Sequence, residues 1–297
     1  MRKLNFKQRE NIDGFIFILP ALAFFLIFRL YPFIYSFYLS LHVRTGVGLR
    51  DIEFAWFDQY RIAFQDPQFF SALRNTIVYT AIVVFFHLVL GLLLAVLLNR
   101  AIIAKSAIRA MFFTPVVLST IICGIIWNWM YSPDAAGMIN RVIGLVGIPP
   151  IAWLRDPNWA MISIAFMGIW KWVGFHMVIY LAALQGIPND YYEAASLEGA
   201  GGLQKFTYIT FPLLAPATWL LLITSIINTF QVFDQIFVMT GGGPIGSTTV
   251  LVFLIYQIGF VRFDLPYASA VAWMMFIVIF IFTLIQMIIQ TRSQNQM

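Results

Sequence analysis

Six apolar runs, 14 to 41, 72 to 98, 107 to 131, 159 to 186, 213 to 239 and 267 to 290, dominate the sequence. Each is long enough to cross the hydrocarbon core of a bilayer, roughly 30 Å thick, which takes about 20 residues at 1.5 Å each. No lipid-facing backbone amide or carbonyl can stay unpaired, and the runs lack the strict alternation of barrel strands, so helices are expected. Of the 297 residues 61% are hydrophobic and 10% charged, too few polar side chains to cover a water-soluble domain of that length. The expected fold class is all-α integral membrane, a six-transmembrane-helix bundle, with residues 1–297 forming a single transmembrane domain.

The start MRKLNFKQRE followed by FIFILPALAFF imitates a signal peptide, with Ala21-Leu22-Ala23 in the place of a cleavage site. The apolar core ahead of it, 15 to 20, falls short of the roughly 7–15 residues of such peptides. The run also continues past it, so the segment reads as an uncleaved anchor. Six spans put both termini on one side. Arg2, Lys3, Lys7, Arg9, Arg100, Lys105, Arg109, Lys205 and Arg292 share that side. Arg44, Arg50, Arg61, Arg74, Arg141, Arg155 and Arg262 are spread over longer loops on the other. The Lys/Arg bias predicts that both termini are cytoplasmic. The net charge of +5 is then mostly an orientation signal. No soluble cluster of basic and aromatic residues suggests a nucleic-acid partner.

Catalytic constellations are absent from the sequence. His42, His87 and His176 fall in different segments without another ligand at useful spacing, so no metal site is expected. Cys123, the single cysteine, excludes an internal disulfide. The Gly-rich stretch TGGGPIGSTT at 240 to 249 suggests a phosphate cradle, yet no Lys precedes Ser247 and no G-x-x-x-x-G-K-[ST] pattern occurs. The chain is not expected to be an enzyme, and any nucleotide chemistry belongs to a partner.

Between the fourth and fifth runs lies EAASLEGAGGLQKFTYITFPLLAP, polar and rich in Gly and Ala. Ile187 and Pro188 end the fourth run, Asn189 or Asp190 can cap a new helix, and Asp190-x-x-Glu193 has the form of a capping box. A short helix from about Tyr191 to Glu198 would bring Tyr191, Ala194, Ala195 and Glu198 onto one face before Gly199, Ala200, Gly201 and Gly202 interrupt it. A second helical piece, Leu203 to Thr210, leads to Pro212. Such a face either rests at the lipid interface or lets another protein approach its backbone closely.

Glu193-Ala194-Ala195, with Gly199 four residues later and then Phe206, Ile209 and Pro212, resembles the EAA loop of ABC importer permeases. LPALAFFLIFRLYPFIYSFYLSL in the first run and MTGGGPIGSTTVL after the fifth are similar to the carbohydrate-uptake branch, of maltose and glycerol-phosphate type. The short tail after Arg292 resembles the first permease of the pair. Glu198 stands where the family often has Asp. The resemblance implies a type I importer permease of the bacterial or archaeal cytoplasmic membrane, moving a sugar or related polyol by alternating access. It further implies a second permease, two ATP-binding subunits that hold the ATP and Mg, and an extracytoplasmic solute-binding protein. Glu193, Ala194, Ala195, Glu198, Gly199, Ala200, Phe206 and Pro212 would form the ATPase-coupling element.

Polar groups inside the runs are the candidates for a solute path. Thr224, Asn228, Gln231 and Gln235 are spaced by four, three and four, as on one stripe of a helix, with Asp234 beside it. Helix packing and a polar path both account for such a stripe. Lys171, between Trp170 and Trp172, carries a charge that costs roughly 2.5–3.5 kcal/mol at membrane centre. Cavity water, Asp234 or a ligand hydroxyl can compensate it. Sugars offer hydroxyl edges and C–H faces, so amides and charges beside aromatic platforms suit them. Lys171, Trp172, Trp170, Asn228, Phe230, Gln231 and Asp234 are therefore the candidate substrate-binding residues, with Phe233 as another platform. Trp127, Asn128 and Tyr131 at the outer end of the third run can contribute too, with interfacial anchoring as the alternative for the Trp and the Tyr. Arg29 is expected to snorkel near the outer boundary. The alternative reading is a proton- or ion-coupled secondary transporter, which should show broken helices, inverted repeats or membrane carboxylates in relay. Asp234 is its main support.

Overall fold

The computed structural model of the chain describes residues 6–46, 51–99, 104–134 and 137–294, without the side chains of 6–13 and 292–294. Arg2, Lys3, Arg50 and Arg100 of the orientation pattern lie outside those residues, and the side chains of Lys7, Arg9 and Arg292 lie outside the described ones. Four of the expected spans are helices of membrane-crossing length, Gly14–Ser40, Pro67–Asn99, Pro157–Gln185 and Leu265–Thr291. The third is broken between Lys105–Val117 and Thr120–Met130 with a bend of 103°. The fifth is bent by 60° between Gly202–Leu213 and Ala215–Phe230, stops at Phe230, and resumes as Asp234–Met239. The run 213 to 239, expected to be helical, is thus helical in pieces rather than throughout.

Two compact units make up the chain, residues 1–65 with 255–274 and residues 66–254 with 275–297. In the first, π-turn Leu26–Leu30 interrupts the opening span just ahead of Tyr31-Pro32. Pro32 has no N–H, and the Tyr31 amide reaches back to the Leu26 carbonyl instead. Trp273 packs between Phe33 and Phe37, at 4.7 and 4.9 Å, and donates its indole N–H to Ser36 at 3.2 Å. The span ends in a two-stranded antiparallel hairpin, His42–Arg44 against Ile52–Phe54, in register His42 with Phe54. Arg44 ties this hairpin to the carbonyls of Arg262 and Phe263. Arg29 is exposed on this chain.

In the second unit the second and fourth spans lie side by side. The second buries Phe69, Ala72, Thr76, Tyr79, Val83, His87, Gly91, Ala95 and Leu98, a stripe at three- and four-residue intervals. Small residues let the helix axes approach: a Cβ on Gly91 would come within 2.6 Å of His176 Cβ, and one on Gly168 within 2.6 Å of the Tyr79 hydroxyl. Where the second span ends and the fourth runs into the loop before the fifth, Ala95, Leu98, Tyr180, Leu181, Leu184, Leu214 and Leu221 form one apolar cluster. At the other end Asn140 organises the loop after the third span. Its amide nitrogen donates to the carbonyls of Ser132, Pro133 and Ile151, and its oxygen accepts from Ile151 N and Trp153 Nε1. The Gly-rich stretch folds onto itself, Thr248 and Thr249 donating to the carbonyls of Gly243 and Gly242, and Asn75 holds it by the carbonyls of Gly246 and Thr249.

The break in the third span explains Lys171. Ending the helix at Val117 strips its last carbonyls of intrahelical donors. Lys171 Nζ donates to the carbonyls of Leu118 at 2.6 Å and Pro115 at 3.1 Å, with Val116 at 3.5 Å. An ammonium has three donors and no acceptor, which suits three carbonyls, and a cation at a helix C-terminus is favoured by the macrodipole. Gly174, one turn along, makes room for the same segment, since a Cβ there would run into the Phe112 carbonyl. Lys171→Met should leave the Val116 and Leu118 carbonyls without this donor, while the Pro115 carbonyl keeps the Leu118 amide. It is expected to cost about 1.5–3 kcal/mol, the range for hydrogen bonds to charged groups, read as a lower melting temperature of the detergent-purified protein.

Candidate functional site

The second break, Gln231 to Phe233, opens beside a cavity of about 310 Å³. Tyr79, Val83 and His87 of the second span, Thr120 of the third, Trp172, Phe175 and His176 of the fourth, and residues from Thr224 to Gln235 of the fifth line it. Its inner wall is a chain of buried polar contacts. His176 donates from Nδ1 to the Trp172 carbonyl at 3.0 Å, since a carbonyl only accepts, and its Nε2 lies 2.6 Å from Ser225 Oγ. His87 stacks on His176 with ring centroids 4.4 Å apart and approaches the Gly168 carbonyl at 3.3 Å. Gln235 donates its amide to the Tyr79 hydroxyl. The rim is different: Asn228, Gln231 and Asp234 are exposed, between the partly exposed rings of Trp172 and Phe175.

Of the expected substrate-binding residues, Trp172, Asn228, Gln231 and Asp234 line this cavity. Phe233, the other platform, lines it too. Lys171, Trp170, Phe230, Trp127 and Tyr131 do not. Successive helix positions differ by about 100°, so Lys171 and Trp172 cannot share a face. Lys171 is 1% exposed and committed to the carbonyls of the broken third span. Of the compensations expected for its charge, Asp234 contributes electrostatically, and the backbone carbonyls, which were not expected, take its hydrogen bonds. Trp127, Tyr131 and Trp170 instead build an aromatic joint between the third and fourth spans. The Trp127 ring lies 5.2 Å from Tyr131 and 5.5 Å from Trp170, and the Tyr131 hydroxyl donates to Ser163 O at 3.0 Å. Trp127 and Tyr131 are buried and do not stand as interfacial anchors on this chain, while Asn128 donates to Val238 O at 3.1 Å. Phe230, 2% exposed, packs on Phe282 at 5.9 Å.

The stripe Thr224, Asn228, Gln231, Gln235 reaches the cavity in full although the helix is interrupted within it. Thr120, Tyr79, Phe175 and Ser225 are lining residues that spacing did not reveal. His87 and His176 were visible in the sequence, but their pairing depends on the register of the second span against the fourth.

The loop before the fifth span is the other candidate element. Its first helix is Asn189–Leu197, and Pro188 precedes it without a side-chain cap, so the box expected at Asp190 and Glu193 does not form. Its end is a Schellman turn: Gly199, at φ 81°, donates to Ser196 O, and Ala200 donates to Ala195 O. Gly202–Lys205 follows, then π-turn Phe206–Thr210, again just before a proline, Pro212. Lys205 Nζ to Ser196 Oγ at 2.6 Å and Tyr192 to Thr210 at 3.0 Å tie the two limbs together. Glu193, Ala194, Glu198 and Gly199 are exposed, Ala195, Ala200, Phe206 and Pro212 partly so. Leu197, Leu203 and Tyr208, which were not singled out from the sequence, stand 91%, 79% and 78% exposed on the same loop.

Apolar helices long enough to cross a membrane, enclosing a cavity lined by polar side chains, are what a membrane permease requires. The chain belongs to the family described as binding-protein-dependent transport system inner membrane component, which matches residues 87–295. It is 34% identical over 287 residues to the lactose transport system permease protein LacF of Rhizobium radiobacter, covering 94% of each chain. It is 33% identical over 282 residues to the trehalose/maltose transport system permease protein MalF of Thermococcus litoralis, again over 94% of each. Its fold matches a chain of a bacterial alginate ABC transporter solved in complex with an alginate pentasaccharide-bound periplasmic protein. That match has a TM-score of 0.83 and 25% identity, over 94% of this chain and 93% of that one. The fold is that of type I ABC importer permeases, as expected.

Asn228→Leu keeps the bulk of the rim and deletes its amide. One lost neutral hydrogen bond to a solute is expected to weaken binding by about 0.5–1.5 kcal/mol. In the reconstituted transporter this should raise the half-saturation concentration of uptake roughly two- to twelvefold, at one factor of ten per 1.4 kcal/mol.

Proposed function

We infer that the chain is one transmembrane subunit of an ATP-driven importer for a sugar, oligosaccharide or related polyol. The observation that carries this reading is the rim of the cavity: Asn228, Gln231 and Asp234 are exposed at the depth of the fifth span, where contact with lipid would be costly. They belong against a water-filled path, completed by a second permease subunit. Hydrogen-bonding amides next to the faces of Trp172 and Phe175 suit the hydroxyl edges and C–H faces of a saccharide.

Residues 1–297 act as one permease domain in the cytoplasmic membrane of a bacterium or archaeon, with both termini and the 187–212 loop in the cytoplasm. Two ATP-binding subunits dock on that loop and hold the ATP and Mg; this chain has no cofactor of its own and performs no covalent step. A solute-binding protein delivers cargo to the outer face. Nucleotide-driven closure of the ATPases displaces the loop, and the bundle alternates between inward and outward access. The driving energy is the difference in affinity between two states.

The loop surface gives the test. Leu197→Asp with Leu203→Asp places charge on an exposed apolar surface outside the bundle, so the protein should insert normally yet lose its ATPase subunits on purification, and with them ATP-dependent uptake. Retained assembly and uptake would make the loop a mere connector. Topology is checked in a Cys123→Ala background. A cysteine at Leu197 should resist a membrane-impermeant thiol reagent in intact cells, and one at Ile245, 97% exposed in the Gly-rich loop, should react.

A further inference from the structure

The cavity wall carries one full charge and no fixed cation. Among its described lining residues Asp234 is the sole carboxylate, and no Lys or Arg lines it. Lys171 does not line it: the ammonium is buried on the carbonyls of Pro115, Val116 and Leu118, 5.2 Å from the Trp172 ring centroid, and interacts with Asp234 through its charge alone. His87 and His176 are stacked within the wall and turn ring nitrogens to Gly168 O, Trp172 O and Ser225. Every other polar group at the rim is a neutral amide or hydroxyl. A carboxylate focused in a low-dielectric cleft raises the local concentration of cations and lowers that of anions. The fold does not decide the charge of the cargo, since the matching alginate transporter imports an acidic polysaccharide.

We propose that this cavity is a charge filter set by Asp234, which passes non-anionic saccharides and excludes uronates and sugar phosphates. The proposal rests on the reading of the chain as a saccharide permease. Asn228 and Gln231 donate to or accept from hydroxyls of either kind of sugar. Discrimination comes from the unfavourable approach of a second negative charge to the Asp234 carboxylate, whose one interacting cation, Lys171, is held on backbone carbonyls outside the lining and offsets it only in part. Asp234 also opens the helix Asp234–Met239, a favourable place for an acidic residue whatever passes by. The test therefore has to read the potential in the cavity as well as transport.

In the complete complex, with Cys123→Ala, a cysteine at Asn228 is modified by a cationic and by an anionic methanethiosulfonate at pH 8, above the ordinary imidazole range. Relative to the free-thiol ratio of the two reagents, the cationic one should react about tenfold faster. Adding Asp234→Asn should return the ratio to the free-thiol value. A cysteine at Gln231 repeats the measurement if the first variant fails to assemble. Uptake is then compared for lactose, trehalose, maltose and cellobiose against their 6-uronate counterparts, with the cognate binding protein present. Uptake confined to neutral members, with a charge-biased reagent ratio, supports the filter. A free-thiol ratio at both cysteines, or uronate uptake equal to neutral uptake, overturns it. If no saccharide of either kind is carried, the saccharide reading fails, and the reagent ratio still decides whether Asp234 sets the charge of the path.

Discussion

A helix broken inside a bilayer must find donors for the carbonyls it releases, because hydrocarbon offers none. The ammonium of Lys171 meets that requirement for the third span, holding the carbonyls of Pro115, Val116 and Leu118. Its charge would be costly at this depth if left alone, and the carbonyls would be costly without it; together each offsets the other. The 103° bend is the result. Thr120 opens the outer half of the span and lines the cavity. Trp127 and Tyr131 follow on the same helix and its end, packed on the fourth span through Trp170 and Ser163. The position of the outer half depends on a residue whose side chain never reaches the cavity.

The fifth span solves the same problem differently. Its break at Gln231 to Phe233 sits beside the open cavity, where water or cargo can meet the freed backbone, and no buried cation is used. Deeper in, polar side chains are matched in pairs, Gln235 with Tyr79 and His176 with Ser225. The wall behind the site is thus largely paired internally, His87 Nδ1 being the exception, while its rim, Asn228, Gln231 and Asp234, is exposed. A supported wall and a free rim suit a path that has to bind and release.

The six apolar runs and the loop helix after Pro188 were legible in the sequence because length, apolar content and Gly/Pro punctuation are local properties. Helical spacing also grouped Asn228 and Gln231 correctly, even though the helix ends at Phe230, between them. Other features depend on how one helix faces another. Lys171 and Trp172 are neighbours in the chain, yet one points to the third span and the other to the cavity. The broken third span has Pro115 as its local sign, and nothing in its composition marks a 103° bend. His87 and His176 meet only because Gly91 and Gly168 bring two helices close. The capping box at Asp190 failed because Pro188 already sets the helix start.

Leu214, fully buried among Leu98, Tyr180, Leu184 and Leu221, lies at the 60° bend between the loop and the fifth span. The segment on the loop side, Gly202–Leu213, is roughly 18 Å long at 1.5 Å per residue, and that from Leu214 to Asn228 is about 20 Å. Under the proposed docking of ATPases on the loop, two such segments turning as rigid arms about Leu214 would form a lever with a mechanical advantage close to one. An ångström of travel imposed at the loop would then arrive at the amide of Asn228 as about an ångström.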